Sequence, residues 1–104
     1  MLIGTTWKAR PLSREQTSRM MTVWGKIEAD MAANPGIERL CWYITADASA
    51  GVTVVRAVDA DAATAYGLEI AIALGEFLEI DSRPVLDLES AMPAILAGIE
   101  RTTA

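Results

Sequence analysis

The 104-residue sequence contains no histidine and a single cysteine, Cys41. Histidine is the commonest metal ligand and the side chain that titrates most readily near neutral pH. Its absence excludes a histidine general base, histidine-ligated haem and most zinc or iron sites, so we expect neither a metal nor a cofactor. One cysteine cannot form an internal disulfide, which fits a reducing compartment, and we expect a cytoplasmic location.

The sequence also lacks a long hydrophobic run and a cluster of basic residues. Its most apolar stretch, residues 60–80, contains four carboxylates, so it does not provide the roughly 20 apolar residues that span a membrane. Nine Lys and Arg residues are scattered among fourteen Asp and Glu residues, which gives a net charge of −5. Binding to nucleic acid depends on clustered cations that contact phosphates. We therefore expect the partners to include neither nucleic acid nor a membrane.

Hydrophobic residues, in contrast, are abundant and make up 52% of the chain. A chain of this length has room for one domain, residues 1–104, and one modest core. Such a domain buries only about 65% of the surface that its unfolded chain exposes. Apolar residues should then remain on the surface as a patch that a partner covers. We expect that partner to be a second copy of the chain, giving a homodimer.

Segments with a period of two and segments with a period of 3.6 alternate along the chain. The predicted order is strand, helix, strand, strand, helix, strand and a terminal helix that Pro93 interrupts, over residues 2–9, 13–34, 37–46, 52–58, 59–75, 78–85 and 88–100. This βαββαβ order is typical of a ferredoxin-like α+β fold, an antiparallel sheet with both long helices on one face. The opposite face must be covered from outside, most simply by a second copy.

Local signals set the helix boundaries. A capping box begins the first helix at Ser13, and residues 34–36 end it with the sequence Asn-Pro-Gly. Either Asp59 or Asp61 can cap the second helix. The apolar stripe of the first helix consists of Met20, Val23, Trp24, Ile27 and Met31. We expect Trp24, as a member of this stripe, to be a plain core residue.

Alternation in the second predicted strand separates its side chains into two sets. Leu40, Trp42 and Ile44 fall on one face, and Cys41 and Tyr43 on the other. The alternation does not decide which set faces the core and which faces a partner.

The chain resembles the dimeric α/β-barrel superfamily, and within it short bacterial domain-of-unknown-function branches. The likeness lies in Thr6-Trp7-Lys8, Pro35-Gly36, Trp42 and, most specifically, the segment from Pro84 to Ala91. The resemblance implies a ferredoxin-like fold, a homodimer and a pocket between sheet and helices. The superfamily includes antibiotic-biosynthesis-type monooxygenases, muconolactone isomerases, haem-degrading enzymes and proteins of no known activity. It therefore implies no single reaction.

A ligand site is expected between the sheet and the helices, where aromatic side chains meet a carboxylate on an otherwise apolar helix. The candidate contacts are Trp7, Tyr43, Tyr66 and Glu69, with Arg39 at the mouth. Each has a structural alternative. The aromatic residues suit a core or an interface, Glu69 suits a solvated stripe, and Arg39 suits a surface salt bridge.

Two functions remain open from the sequence. In the first, the protein binds a small aromatic compound and is a cofactor-independent monooxygenase-like or isomerase-like enzyme, as the resemblance implies. In the second, it is a non-catalytic dimeric module whose apolar faces serve assembly alone. Convergent polar groups around an open cavity beneath the sheet would favour the first, and a space filled by side chains would favour the second.

Overall fold

The computed structural model describes residues 1–103 and confirms the ferredoxin-like α+β fold. Its elements are β1 (Leu2–Ala9), α1 (Arg14–Ala33), β2 (Ile37–Ile44), β3 (Ala50–Ala57), α2 (Ala60–Leu74), β4 (Leu78–Val85) and α3 (Leu88–Thr102). The four strands form one antiparallel sheet in the order β2-β3-β1-β4. Among the described residues, no helix is both long enough and apolar enough to cross a membrane.

The two long helices begin at caps that the sequence predicts. Ser13 accepts a hydrogen bond from the backbone N–H of Gln16, and the Gln16 side chain accepts one from the Ser13 N–H. This reciprocal pair is a capping box. Asp59, rather than Asp61, caps α2 by accepting from the Ala62 N–H at 2.8 Å.

The core lies in the layer between the sheet and the two helices α1 and α2. Alternate residues of the central strands β1 and β3 are buried, as expected for a sheet with one covered face. The best-covered large side chains are Val55, Phe77 and Leu78. The predicted apolar stripe of α1 packs against this core. Burial of these side chains is the main stabilising contribution to the fold.

A β-bulge in β2 breaks the strict alternation that the sequence predicts. Arg39 lies opposite Val55 and Trp42 lies opposite Thr53, so that β2 carries one more residue here, Leu40, than β3 does. The bulge places Arg39 and Trp42 on the same helix-facing side of the sheet. The predicted strict alternation, which placed Leu40 on the same face as Trp42, was therefore wrong at Leu40.

The opposite face of the sheet, called the far face below, is not covered by the described chain. Its apolar residues are Leu2, Cys41, Tyr43, Val52, Val54 and Val85. Charged residues border it: Arg56 pairs with Glu38, Lys8 lies opposite Glu79, and Arg83 pairs with Asp81 along the edge strand β4. The far face thus has the apolar centre and polar border of a surface that a partner can cover.

The helix α3 stands apart from this sandwich. No residue of α3 is buried by the described chain. The predicted interruption at Pro93 was wrong, because the helix continues through it. The proline removes only the hydrogen bond to the Glu89 carbonyl, which is exposed. With α3 projecting, the radius of gyration is 16.5 Å, against about 13 Å for a compact chain of this length.

Candidate ligand site

Three tryptophans from three elements form a row between the sheet and α1. The ring of Trp7 in β1 meets that of Trp24 in α1 edge-on, with centroids 5.7 Å apart and planes at 79°. Trp24 in turn stacks on Trp42 of β2, with centroids 5.5 Å apart and planes at 17°. Aromatic pairs in such geometries contribute about 0.5–1.5 kcal/mol beyond the area they bury. The row therefore holds α1 against β1 and β2.

The Trp7 indole lies directly over Gly51 of β3. A Cβ atom at position 51 would come within 2.3 Å of the Trp7 ring, so that only glycine permits this packing. The Trp7 side chain is buried, and its indole N–H has no hydrogen-bond partner within residues 1–103. A buried indole N–H usually has one. The site therefore contains a buried hydrogen-bond donor that has no acceptor among the described residues.

A charged pair adjoins the tryptophan row and joins α1 to β2. Glu28 accepts a hydrogen bond from the Trp24 indole N–H at 3.2 Å and forms an ion pair with the Arg39 guanidinium. The guanidinium carbon of Arg39 lies 4.5 Å from the centroid of the Trp42 ring, a cation–π contact. In the described chain the Nε atom of Arg39 is buried and has no partner. Arg39 thus supplies a second unpaired donor.

A small chamber of about 30 Å³ lies between these groups, the sheet and α2. Its polar lining consists of Thr5, Glu28, Arg39, Thr53 and Tyr66. Thr5 and Thr53 are buried, and the Thr5 hydroxyl shares a hydrogen bond of 2.8 Å with the Ser82 hydroxyl. The chamber has room for about two water-sized molecules, and its polar groups could bind them. It is too small for an aromatic ring.

Tyr66 contributes a phenol to the chamber. Burial raises the pKa of this phenol above its ordinary value of 10.0, while the Thr53 hydroxyl and the positive charge of Arg39 partly oppose the rise. Tyr66 therefore stays protonated at neutral pH and is suited to donate a hydrogen bond rather than to act as a general base. Within residues 1–103, no group of three or more His, Cys, Asp or Glu side chains is placed to hold a metal ion.

A larger cleft of about 610 Å³ opens beside the chamber, between the first half of α1 and the end of β2. Its apolar lining includes Leu12, Met20, Met21, Trp42, Ile44 and Leu78. Four residues line both the cleft and the chamber and so form the wall between them: Trp7, Trp24, Glu28 and Leu78. Small-ligand sites are typically concave, about 300–1,000 Å³ in volume and mostly apolar, with a few polar groups. The cleft matches this description.

The structure brings together three of the five predicted site residues. Trp7, Tyr66 and Arg39 line the chamber, and Arg39 lies inside it rather than at a mouth. Tyr43 lies on the far face, 68% exposed, and cannot reach a ligand held between the sheet and the helices of its own chain. Glu69 does not line the chamber but an open groove between α1 and α2, and Tyr66 lines both. The predicted placement of Tyr43 between the sheet and the helices is therefore corrected, and Glu69 shares the groove with Tyr66 rather than the chamber.

Two residues of the wall, Trp24 and Glu28, were missed. The apolar stripe of α1 predicts Trp24 as a plain core residue, whereas its ring also faces the cleft. Glu28 is four residues further on, so that the two side chains share a helix face and can bond to each other. This spacing is the signal that could have revealed the pair.

No family model matches the sequence. No curated protein matches it either. Comparison with solved structures finds a protein from Nitrosomonas europaea described as an antibiotic biosynthesis monooxygenase, with a TM-score of 0.54 and 12% identity, over 83% of this chain and 99% of that one. A similar protein, also described as an antibiotic biosynthesis monooxygenase, comes from Deinococcus radiodurans, with a TM-score of 0.52 and 13% identity, over 84% and 94% of the two chains.

A further similar structure is a single-substitution variant of SnoaB, a cofactor-independent oxygenase from Streptomyces nogalater. Its TM-score is 0.54 at 16% identity, over 83% of this chain and 95% of SnoaB. These likenesses place the chain in the fold class of the antibiotic biosynthesis monooxygenases. At identities of 12–16% they establish the fold and not a reaction. The covered share corresponds in length to the stretch that ends with β4, so α3 has the length of the remainder.

Proposed function

We propose that this protein binds a small aromatic compound that carries a hydroxyl or carbonyl oxygen, and that it is a cofactor-independent monooxygenase-like enzyme. One observation carries the proposal. An apolar cleft large enough for an aromatic molecule shares a wall, made of Trp7, Trp24, Glu28 and Leu78, with a polar chamber. This arrangement suits a ligand whose ring occupies the cleft and whose oxygen points to the wall.

The unpaired donors indicate the chemistry of the ligand. The Trp7 indole N–H and the Arg39 Nε are both buried, and neither has an acceptor in the described chain. Leaving a buried donor unpaired costs about 1–3 kcal/mol, which a ligand oxygen or a water can recover by accepting the hydrogen bond. Because both groups are donors, they favour a ligand with an acceptor oxygen over a cationic or purely apolar ligand.

In a cofactor-independent oxygenation, a deprotonated phenolic substrate itself reduces dioxygen. The protein then has to exclude water and stabilise negative charge on the substrate oxygen. The tryptophan row and the methionines of the cleft supply an apolar site. The chamber behind the wall holds Arg39 as an ion pair with Glu28. The likeness to SnoaB, which is a cofactor-independent oxygenase, supports this choice among reactions.

The homodimer is part of the same proposal. The uncovered far face has an apolar centre and a charged rim, and pairing it with a second copy would remove this surface from water. The cleft lies on the other side of the sheet, so that dimerisation through the far face leaves it free. The cytoplasmic location remains a prediction from the sequence.

A second function, a non-catalytic dimeric module, is favoured by the small size of the chamber, about 30 Å³. If no ligand occupies the cleft, the polar groups serve only to position α1 over the sheet. The apolar far face and α3 would then be the functional surfaces.

Binding can be tested by isothermal titration calorimetry with 1-naphthol and with naphthalene. We expect 1-naphthol to bind roughly 10-fold more tightly, since a hydrogen bond to a charged group contributes about 1.5–3 kcal/mol. Ile44→Glu, in the cleft, should abolish binding, whereas Ile72→Glu, also exposed but in the α1–α2 groove, should leave it unchanged. Absence of binding, or equal loss in both variants, would favour the non-catalytic module.

A further inference from the structure

The helix α3 carries an apolar stripe that the described chain leaves uncovered. Leu88, Met92, Ile95 and Ile99 follow one another at spacings of four, three and four residues. This is the spacing of a seam between two packed helices. The four side chains are between 37% and 70% exposed. The opposite side of the helix carries small or polar residues, among them Ala97 and Arg101.

An amphipathic helix without a packing partner is unexpected. A lone helix of about 15 residues is only marginally stable in water, and most helical stability in proteins comes from packing of the apolar side. No residue of α3 is buried by the described chain, so its stripe needs a surface that the sandwich does not supply.

We propose that α3 is a dimerisation arm whose stripe packs antiparallel against the α3 stripe of a second copy. This inference rests on the homodimer of the proposed function, and it assigns to that dimer a second contact. The apolar surface is continuous between the two. Leu2 and Val85 are cross-strand neighbours on the far face, and the exposed residues Leu86 and Leu88 lead from them directly onto α3.

The charges on α3 favour the antiparallel orientation. The helix begins with Asp87 as its cap and Glu89 in its first turn. An antiparallel pair opposes the two helix dipoles and keeps the two acidic first turns apart. A parallel pair would place the two acidic first turns side by side, which is unfavourable.

The expected area indicates that the arm acts together with the far face. Each of the four stripe residues can contribute roughly 100 Å² of apolar surface. Specific interfaces bury about 800 Å² on each partner. The α3 pair alone is therefore too small for a stable dimer and would add to the contact made through the far face. The arm would then strengthen the dimer and fix the relative orientation of its two halves.

The full-length chain allows a cross-linking test in a Cys41→Ser background, which removes its single thiol. We expect Ile95→Cys to form a covalent dimer with a short bismaleimide, roughly 10-fold faster than the matched variant Ala97→Cys on the opposite side of α3. A mixture of Leu88→Cys and Ile99→Cys chains should cross-link, because antiparallel pairing brings these positions together. Each of these two variants alone should not.

The molecular mass measured by light scattering distinguishes an error in the proposed α3 contact from an error in the proposed homodimer. If the protein is dimeric but Ile95→Cys and Ala97→Cys cross-link equally slowly, the arm is wrong and the far-face dimer stands. If the protein is monomeric at micromolar concentration, both are wrong. The arm proposal is also overturned if Ile95→Cys links instead to an Ile27→Cys chain, because Ile27 lines the groove between α1 and α2.

Discussion

At the scale of single residues, the tryptophan row depends on the absence of a side chain at position 51. The Trp7 ring occupies the space that a Cβ atom on Gly51 would need. Through Trp7, this one glycine sets the position of the wall that separates the cleft from the chamber. The glycine is therefore a requirement of the site rather than of a turn.

We predict that Gly51→Ala destabilises the protein by about 1–3 kcal/mol, the usual cost of overpacking a filled core. Urea denaturation measures the free energy of unfolding. Gly67→Ala is the matched control, because nothing lies within 4 Å of a Cβ atom at this position in α2. It should stabilise the helix by about 0.5–1 kcal/mol. Equal stability of Gly51→Ala and the wild type would show that Trp7 is not held where the structure places it.

The buried phenol of Tyr66 predicts a loss of stability at alkaline pH. Since burial raises the pKa of Tyr66, the folded protein keeps this proton at a pH where the unfolded chain releases it. The free energy of unfolding should therefore fall as the pH rises from about 10, the ordinary pKa of tyrosine, through the folded-state pKa. Tyr66→Phe should lack this part of the fall, whereas Tyr43→Phe, which alters an exposed residue, should retain it. The same pH dependence in both variants would contradict the assignment.

At the scale of elements, the pair of Glu28 and Arg39 connects α1 to the bulged part of β2. Its side chains are 35% and 26% exposed, against 65% and 56% for Glu38 and Arg56, which form an ion pair at the rim of the far face. Charge pairs shielded from solvent are screened less and interact more strongly. The two pairs thus provide a comparison within one sheet.

We predict a coupling energy of about 1–2 kcal/mol between Glu28 and Arg39, and of about 0–0.5 kcal/mol between Glu38 and Arg56. Double-mutant cycles with Gln substitutions measure both by urea denaturation. Glu28→Gln keeps an oxygen that can accept from the Trp24 indole, so the cycle reports on the charge. If the two coupling energies were equal, the inner pair would not hold α1 in place.

Most element boundaries follow from the sequence, and the exceptions have physical reasons. β1 and β4 have the predicted bounds, because alternating β-favouring residues are bounded by clear turn signals. The bulge after Arg39 was not predictable, because it depends on how β2 pairs with β3. The helix α3 continues through Pro93 because the lost hydrogen bond lies in its exposed first turns.

The candidate site was predictable only in part. Trp7 and Tyr66 lie between the sheet and the helices because their positions in β1 and α2 face the core. Strand alternation separates Tyr43 from Trp42 but does not say which of them faces the helices. Glu69 lies between two apolar flanks of α2, and tertiary packing alone decides that this side faces an open groove. Tertiary packing thus decides which side of a strand or helix faces the site, and the sequence pattern alone does not.

At the scale of the whole molecule, the two proposed activities use opposite sides of the sheet. In the proposals made above, the far face and α3 serve assembly, and the cleft beside the tryptophan row serves ligand binding. Because the surfaces are separate, a variant that disrupts one should leave the other intact. This separation distinguishes a ligand-binding dimer from a module that only assembles.

The most direct test of ligand binding is a crystal structure of the protein with 1-naphthol. We predict that the ring lies in the cleft against Trp24 and Trp42, with its oxygen about 3 Å from the Trp7 indole nitrogen or an Arg39 nitrogen. A cleft closed by its own side chains, or 1-naphthol bound only in the groove between α1 and α2, would contradict the account.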